Sequence, residues 1–272
     1  ALSSLNSFVN LTANNENLDL DATVQVYEKL DSSNSDRYEF IFPSYNINKN
    51  INEFDFLKGS LLFNSSGSQH LYDTNIIESQ IINDLIYNSE DKFFSNGIKN
   101  NYNVLLKNVN TDGKNSTKYK NTFQAEMLSS FIIESSYPLM REGINFNNYL
   151  TPQFSLRYSP NSMKDLSEND TRIDINNIFS LNRIASSDSV ESGQSLTMGI
   201  NYKKSRKTNY KINIDQEDAP PEDVFELSLA TVFRDEFNED FPTSSSLGNK
   251  SSDVVGHIKL SPNNEKWKTK AL

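Results

Sequence analysis

The chain contains no cysteine and two histidines, His70 and His257. Without thiols there is no disulfide staple, thiolate metal site or cysteine nucleophile, and two histidines do not make a histidine-based metal cluster. Nine glycines leave little room for a phosphate-cradling loop. Basic residues number 26 against 36 acidic, a net charge of −10, so no basic stripe can neutralise a run of phosphates and no nucleic-acid partner is expected. No run of 18 apolar residues occurs, which excludes a transmembrane helix. A transmembrane β-barrel stays open, because its strands alternate and never show a long apolar run. The chain opens on Ala1 without a signal-type apolar segment and stops at Leu272 after a strand-like stretch, the pattern expected of an internal fragment.

The composition is polar: 36% hydrophobic, mean hydropathy −0.61, with Asn and Ser together roughly 27%, which taken alone suggests disorder. The abundance of Asn, Ile, Lys and Ser is also the drift of an AT-rich genome. Against disorder stand 17 Phe and 12 Tyr, many of them placed with a period of two.

That period is clearest in the second half. Leu150, Pro152, Phe154, Leu156 and Tyr158 share one strand face, with Tyr149, Thr151, Gln153, Ser155 and Arg157 on the other. Leu196, Met198, Ile200 and Tyr202 oppose Ser195, Thr197, Gly199, Asn201 and Lys203. A polar turn over residues 204–208 precedes a further alternation at Tyr210, Ile212 and Ile214, predicting a hairpin. Phe225, Leu227 and Leu229, then Val254, Gly256, Ile258 and Leu260, continue the pattern. In the first half Leu20, Ala22, Val24 and Val26, and Phe123, Ala125 and Met127, repeat it. Turns are predicted at residues 31–35 and 110–114, and long polar loops at 159–194 and 235–252.

Long strands separated alternately by short turns and long loops predict an all-β fold, part of a large antiparallel transmembrane β-barrel with long polar extracellular loops; at about 20 to 25 residues per strand, roughly 10 to 13 strands are present. The competing architecture is a soluble β-sandwich or solenoid, whose apolar face packs inward. Strand length and the aromatics near the ends of apolar faces, Tyr158, Tyr202, Tyr210 and Phe233, favour the barrel. In a barrel, Leu196, Met198, Ile200, Tyr202, Phe154 and Leu156 face lipid, while Thr197, Asn201, Lys203, Gln153 and Arg157 face the lumen.

The stretch Tyr137-Pro138-Leu139-Met140-Arg141, the strand to Tyr158, and then Asp174, Asn177, Phe179, Leu181 and Arg183 followed by residues 188–194 with Gly193 form one ordered run of motifs. Val232-Phe233-Arg234-Asp235, Phe241-Pro242, and Ser251, Asp253 and Gly256 before Ser261-Pro262-Asn263 form a second. Both runs resemble the carboxy-terminal barrel of the LptD family of LPS-assembly outer-membrane proteins, also called OstA or organic solvent tolerance proteins, in its alphaproteobacterial style. The resemblance is specific over about residues 137–263 and before that is limited to strand rhythm and the Arg37 to Pro43 segment. It implies a translocon component that inserts lipopolysaccharide into the outer leaflet of the outer membrane of a Gram-negative cell. It further implies an LptE-type lipoprotein plug, a periplasmic Lpt bridge reached through an N-terminal jelly-roll, and outer-membrane lipid as partners, with no cofactor and no enzymatic activity. Residues 1–272 are then a partial barrel domain from which the jelly-roll and the terminal gate strands are absent. The alternatives are another outer-membrane barrel, a porin or ligand-gated receptor, or a soluble secreted β-rich binding protein.

Independently of the resemblance, Ile175, Ile178, Phe179 and Leu181 lie in a loop of roughly 35 residues, too long to be structureless in a compact protein, and are expected to pack back on the barrel rim or into the lumen. Gly193 is expected to turn the backbone into the next strand, and Pro138 and Pro242 to bound strands. For these loop motifs a role in fixing loop shape is expected rather than contact with lipopolysaccharide. No G-x-S-x-G elbow accompanies His257, on a polar strand face, or His70, placed in a Gly-Ser-rich turn. The acidic residues 235–240 lack the spacing of a calcium loop and read as a solvated loop. Four N-x-S/T sequons fit chance in so Asn- and Ser-rich a chain.

Overall fold

The computed structural model describes residues 4–30, 37–51, 58–72, 75–207, 222–261 and 269–271. Among them there is no α-helix, and the one helical element is a short 3-10 turn at Ser246–Gly248. The strands are β1 (Ser4–Asn15), β2 (Leu18–Lys29), β3 (Tyr38–Ile51), β4 (Gly59–Tyr72), β5 (Ile77–Ser89), β6 (Lys92–Phe93) and β7 (Lys99–Lys114). They continue as β8 (Gln124–Ser136), β9 (Leu139–Glu142), β10 (Phe146–Ser159), β11 (Gly193–Arg206), β12 (Glu222–Arg234), β13 (Val255–Leu260) and β14 (Thr269–Ala271). In the sheet each long strand pairs with its neighbours in sequence, while β6 folds back on β7 and β9 on β10. Every described pairing is antiparallel, as hairpin connections require.

Contacts divide the chain into two compact units. The first comprises residues 1–90, 103–130 and 187–189. Its strands are long, with bulges in the pairing near Thr23/Gln25 and Ile41/Ser44. Leu105, Lys107 and Val109 of β7 are buried on one face. The Lys107 ammonium is held there by Asp84 at 2.7 Å and donates to the Ser187 carbonyl at 2.7 Å, which anchors residues 187–189. The predicted turn at residues 110–114 is instead the end of β7, where Asn110 to Lys114 pair with Ile81 to Ile77. Gly113 is needed because a Cβ there would lie 2.8 Å from the Tyr119 carbonyl oxygen, and its N–H donates to Lys120 at 2.9 Å. The connection proper follows the strand. His70 is likewise inside β4 rather than in a turn, with Nδ1 2.7 Å from Glu39. The predicted turn at 31–35 and the strand at Tyr210, Ile212 and Ile214 lie outside the described residues.

The second unit comprises residues 91–102, 131–186 and 190–272. Its strands expose the apolar face and cover the polar one. Along the end of β10, Phe154, Leu156 and Tyr158 are 46%, 51% and 51% exposed, whereas Ser155, Arg157 and Ser159 are 4%, 5% and 1%. In β11, Met198 and Ile200 are exposed while Ser195 and Thr197 are buried. Register carries the pattern across strands: Phe154 opposes Met198 and Leu156 opposes Leu196, while Ser155 opposes Thr197 and Arg157 opposes Ser195.

What covers the polar face is chain from two loops. Met163, Leu166, Ile178 and Ile184 from residues 160–192 join Phe241 and Leu247 from residues 235–254 in a small apolar core on Ala230 and Val232 of β12. Backbone bonds sew the loops together, Leu166 N–H to the Asp240 carbonyl (2.8 Å) and Thr243 N–H to that of Ser167 (3.1 Å). Burial of six large apolar side chains supplies the drive, at about 1.5 to 3 kcal/mol each before ordering entropy is subtracted. Pro242 is fully buried within the second loop and bounds no strand, which corrects that expectation.

Candidate functional site

The covered face of β10, β11 and β12 carries a buried ion cluster centred on Glu191, just before β11. Glu191 accepts a two-pronged hydrogen bond from Arg183, Nε at 2.6 Å and Nη2 at 2.5 Å, the geometry that only a guanidinium supplies. Arg234 Nη1 donates to the same carboxylate at 2.5 Å, and Arg157 Nε stands 3.7 Å away. All four side chains are almost wholly buried. Burial by itself would raise the Glu191 carboxyl, but Arg183, Arg157 and Arg234 more than offset it and hold the group at about 2.

The remaining guanidinium donors tie loop to wall. Arg157, from β10, donates to the carbonyls of Leu181 (2.7 Å) and Ser180 (2.6 Å). Arg183, from the loop, donates to Thr197 Oγ1 (2.8 Å) and Ser195 Oγ (2.6 Å) of β11. Arg234 donates to the Ser192 carbonyl, and its guanidinium lies over the Phe241 ring, 4.4 Å from the centroid. One carboxylate thus fixes residues 178–192 against three strands.

The other loop motifs shape the same segment. Asp174 Oδ1 accepts from the N–H groups of Asn176 (2.8 Å) and Asn177 (2.9 Å), while Asn177 Oδ1 accepts from Asp174 N–H (2.8 Å), a reciprocal turn. Phe179 rests on Gly199, where a Cβ would lie 2.8 Å from its ring. Gly193 enters β11 at φ +80°, a left-handed conformation that favours glycine. Ser251 bridges to Phe233, and Asp253 N–H donates to Ser246 Oγ at 2.7 Å. Gly256 pairs with Leu229, whose Cδ2 would stand 2.7 Å from an added Cβ.

Of the five polar residues singled out from sequence, Thr197 and Arg157 lie beneath the loop. Asn201 pairs with Thr151 and Gln153 with Gly199, and Lys203 makes an ion pair with Asp223 at 2.9 Å. Leu196 and Tyr202, half-buried, share the apolar face with Met198, Ile200, Phe154 and Leu156. Sequence reasoning did not single out Glu191 or Arg234 as partners. A signal was present: lysine supplies 19 of the 26 basic residues, and three of the seven arginines meet at one carboxylate.

A sheet with an apolar exposed face and charge buried opposite is the reverse of a water-soluble domain and the rule for a membrane-spanning barrel. A family model described as LPS transport system D, LptD, matches residues 1–271. The chain belongs to this family. No curated protein matches it. The LptD match takes in the first 136 residues, where the resemblance read from sequence is limited to strand rhythm and the Arg37 to Pro43 segment. The chain is therefore an all-β, antiparallel outer-membrane protein of the β-barrel kind that inserts lipopolysaccharide into the outer membrane, and lipopolysaccharide and the Lpt pathway are its substrate and setting.

Proposed function

We propose that residues 1–272 form part of the wall of an LptD barrel, with the exposed face of β8 and β10 to β13 in lipid and the covered face toward a wet lumen. The observation that carries this reading is the inverted exposure, Phe154, Leu156, Met198 and Ile200 open while Arg157, Ser195 and Thr197 are buried. Sugars and phosphates cross such a lumen, whereas acyl chains held there would keep a large hydration cost and leave sideways into the leaflet. The chain acts as a conduit and not as an enzyme. An LptE-type lipoprotein stands as plug on the lumen side, and a jelly-roll domain joins the barrel to the periplasmic bridge.

Cysteine labelling of the complete protein in the outer membrane tests the faces. Asn201→Cys and Lys203→Cys are expected to react with a membrane-impermeant, water-soluble thiol reagent when the lumen is open, and Met198→Cys and Ile200→Cys to stay protected. Thr197→Cys is expected to react slowly, because Arg183 and the loop cover it. Equal labelling of Ile200→Cys and Asn201→Cys would refute the membrane reading.

A further inference from the structure

The covered face of the second unit holds a cavity that the ion cluster does not use. Gly199 of β11 pairs with Gln153 of β10, and Gln153 with Ser136 of β8. Along this row lies a cavity of about 170 Å³, lined by Lys99, Asn101, Glu134, Ser136, Gln153 and the loop residue Phe179. Two of its donors are already taken: Lys99 Nζ is 2.7 Å from Asp91, and Asn101 Nδ2 donates to Asp91 at 3.2 Å. Asn101 Oδ1, by contrast, is buried and has no hydrogen-bond partner among the described residues. An unpaired buried acceptor is costly, so the cavity calls for a ligand that donates.

The walls describe that ligand further. The Glu134 carboxylate and Asn101 Oδ1 accept only, the Ser136 hydroxyl and the Gln153 amide both donate and accept, and Phe179, held in place on Gly199, offers an apolar plate. An apolar ligand would strand the acceptors. A hydroxyl-rich ring matches both features, with donors around its edge and C–H groups on its face.

We propose that this cavity is a saccharide subsite, in which a sugar ring of the transported lipopolysaccharide lies against Phe179 and donates hydroxyls to Glu134 and Asn101 Oδ1. The proposal rests on the reading that the covered face lines the lumen. The test uses the complete protein with its partners in the outer membrane, carrying a photoreactive amino acid in place of Gln153, Asn201 or Ile200, with captured lipopolysaccharide detected on the cross-linked band. Capture at Gln153 is expected to exceed that at Asn201. Glu134→Gln, which replaces a charged acceptor by a neutral one, and Asn101→Leu, which removes an acceptor, are each expected to reduce it about fivefold, with capture at Asn201 unchanged. Should Glu134→Gln fail to assemble, Ser136→Val removes a hydroxyl from the same wall and carries the same expectation. Equal capture at Gln153 and Asn201, insensitive to these substitutions, would overturn the subsite and leave the lumen reading intact. Capture at Ile200 with none at Gln153 or Asn201 would overturn the lumen reading itself.

Discussion

Replacing Glu191 by Gln removes the one negative charge at the centre of three buried guanidiniums. The carboxylate accepts from Arg183 twice and from Arg234 once within 2.6 Å, and a carboxamide can accept at its oxygen only, its NH₂ facing groups that also donate. Breaking a buried charge network by removing one partner costs about 3 to 5 kcal/mol. Linkage gives the same size independently. Glu191 falls from an ordinary 4.5 to about 2 on folding, a difference of roughly 3 kcal/mol at 1.36 kcal/mol per pKa unit. Because the folded value is the lower one, this stability is fully present above about pH 4.5 and is lost as the pH falls toward 2. The assay is urea unfolding of the complete protein refolded in lipid vesicles, at pH 7 and through the acid range. Glu191→Gln is expected to lower stability at pH 7 by about 3 to 5 kcal/mol and to flatten the wild-type decline between pH 4.5 and 2. Removing the fork altogether, with Arg183→Met and Glu191→Leu together, is expected to cost less than the sum of the single changes, since the Arg183 charge goes with its carboxylate, while Arg157 and Arg234 still lose their partner and keep the cost well above zero. A Glu191→Gln protein within about 1 kcal/mol of wild type, with the acid decline intact, would refute the assignment of Glu191 as the anchor of the loop.

Two further outcomes are expected in the same refolding assay. Ile200→Arg, on the exposed face near mid-strand, costs about 2 to 4 kcal/mol if that position lies near the bilayer midplane, and Asn201→Arg far less; equal costs would mean the faces are assigned wrongly. Gly199→Ala drives a methyl to within 2.8 Å of the Phe179 ring and is expected to cost about 1 to 3 kcal/mol by overpacking, with much of the loss recovered by adding Phe179→Leu, whereas no recovery would show that the loop does not rest on β11.

The period-2 alternation was legible from the residues because strand geometry writes itself directly into sequence: successive side chains must take opposite faces, and each face meets one environment. Leu196, Met198, Ile200 and Tyr202 could be grouped on those grounds, and the motif runs around Arg183 and Pro242 could be matched to a family. Alternation does not say which face is covered, since a sandwich and a barrel give the same period. That was decided by the tertiary arrangement, in which residues 160–192 and 235–254 fold over the polar face and leave Phe154 and Met198 open. The Asp112-Gly113 pair reads locally as a turn, yet pairing with β5 extends the strand through it, and the glycine serves instead to admit Tyr119. The Glu191 cluster leaves no periodic trace at all. Its members come from two strands and a loop, and Arg157 and Arg234 are 77 residues apart; a charge pair has no repeat, only a position in space, so the cluster exists once β10, β11 and β12 are in register and not before.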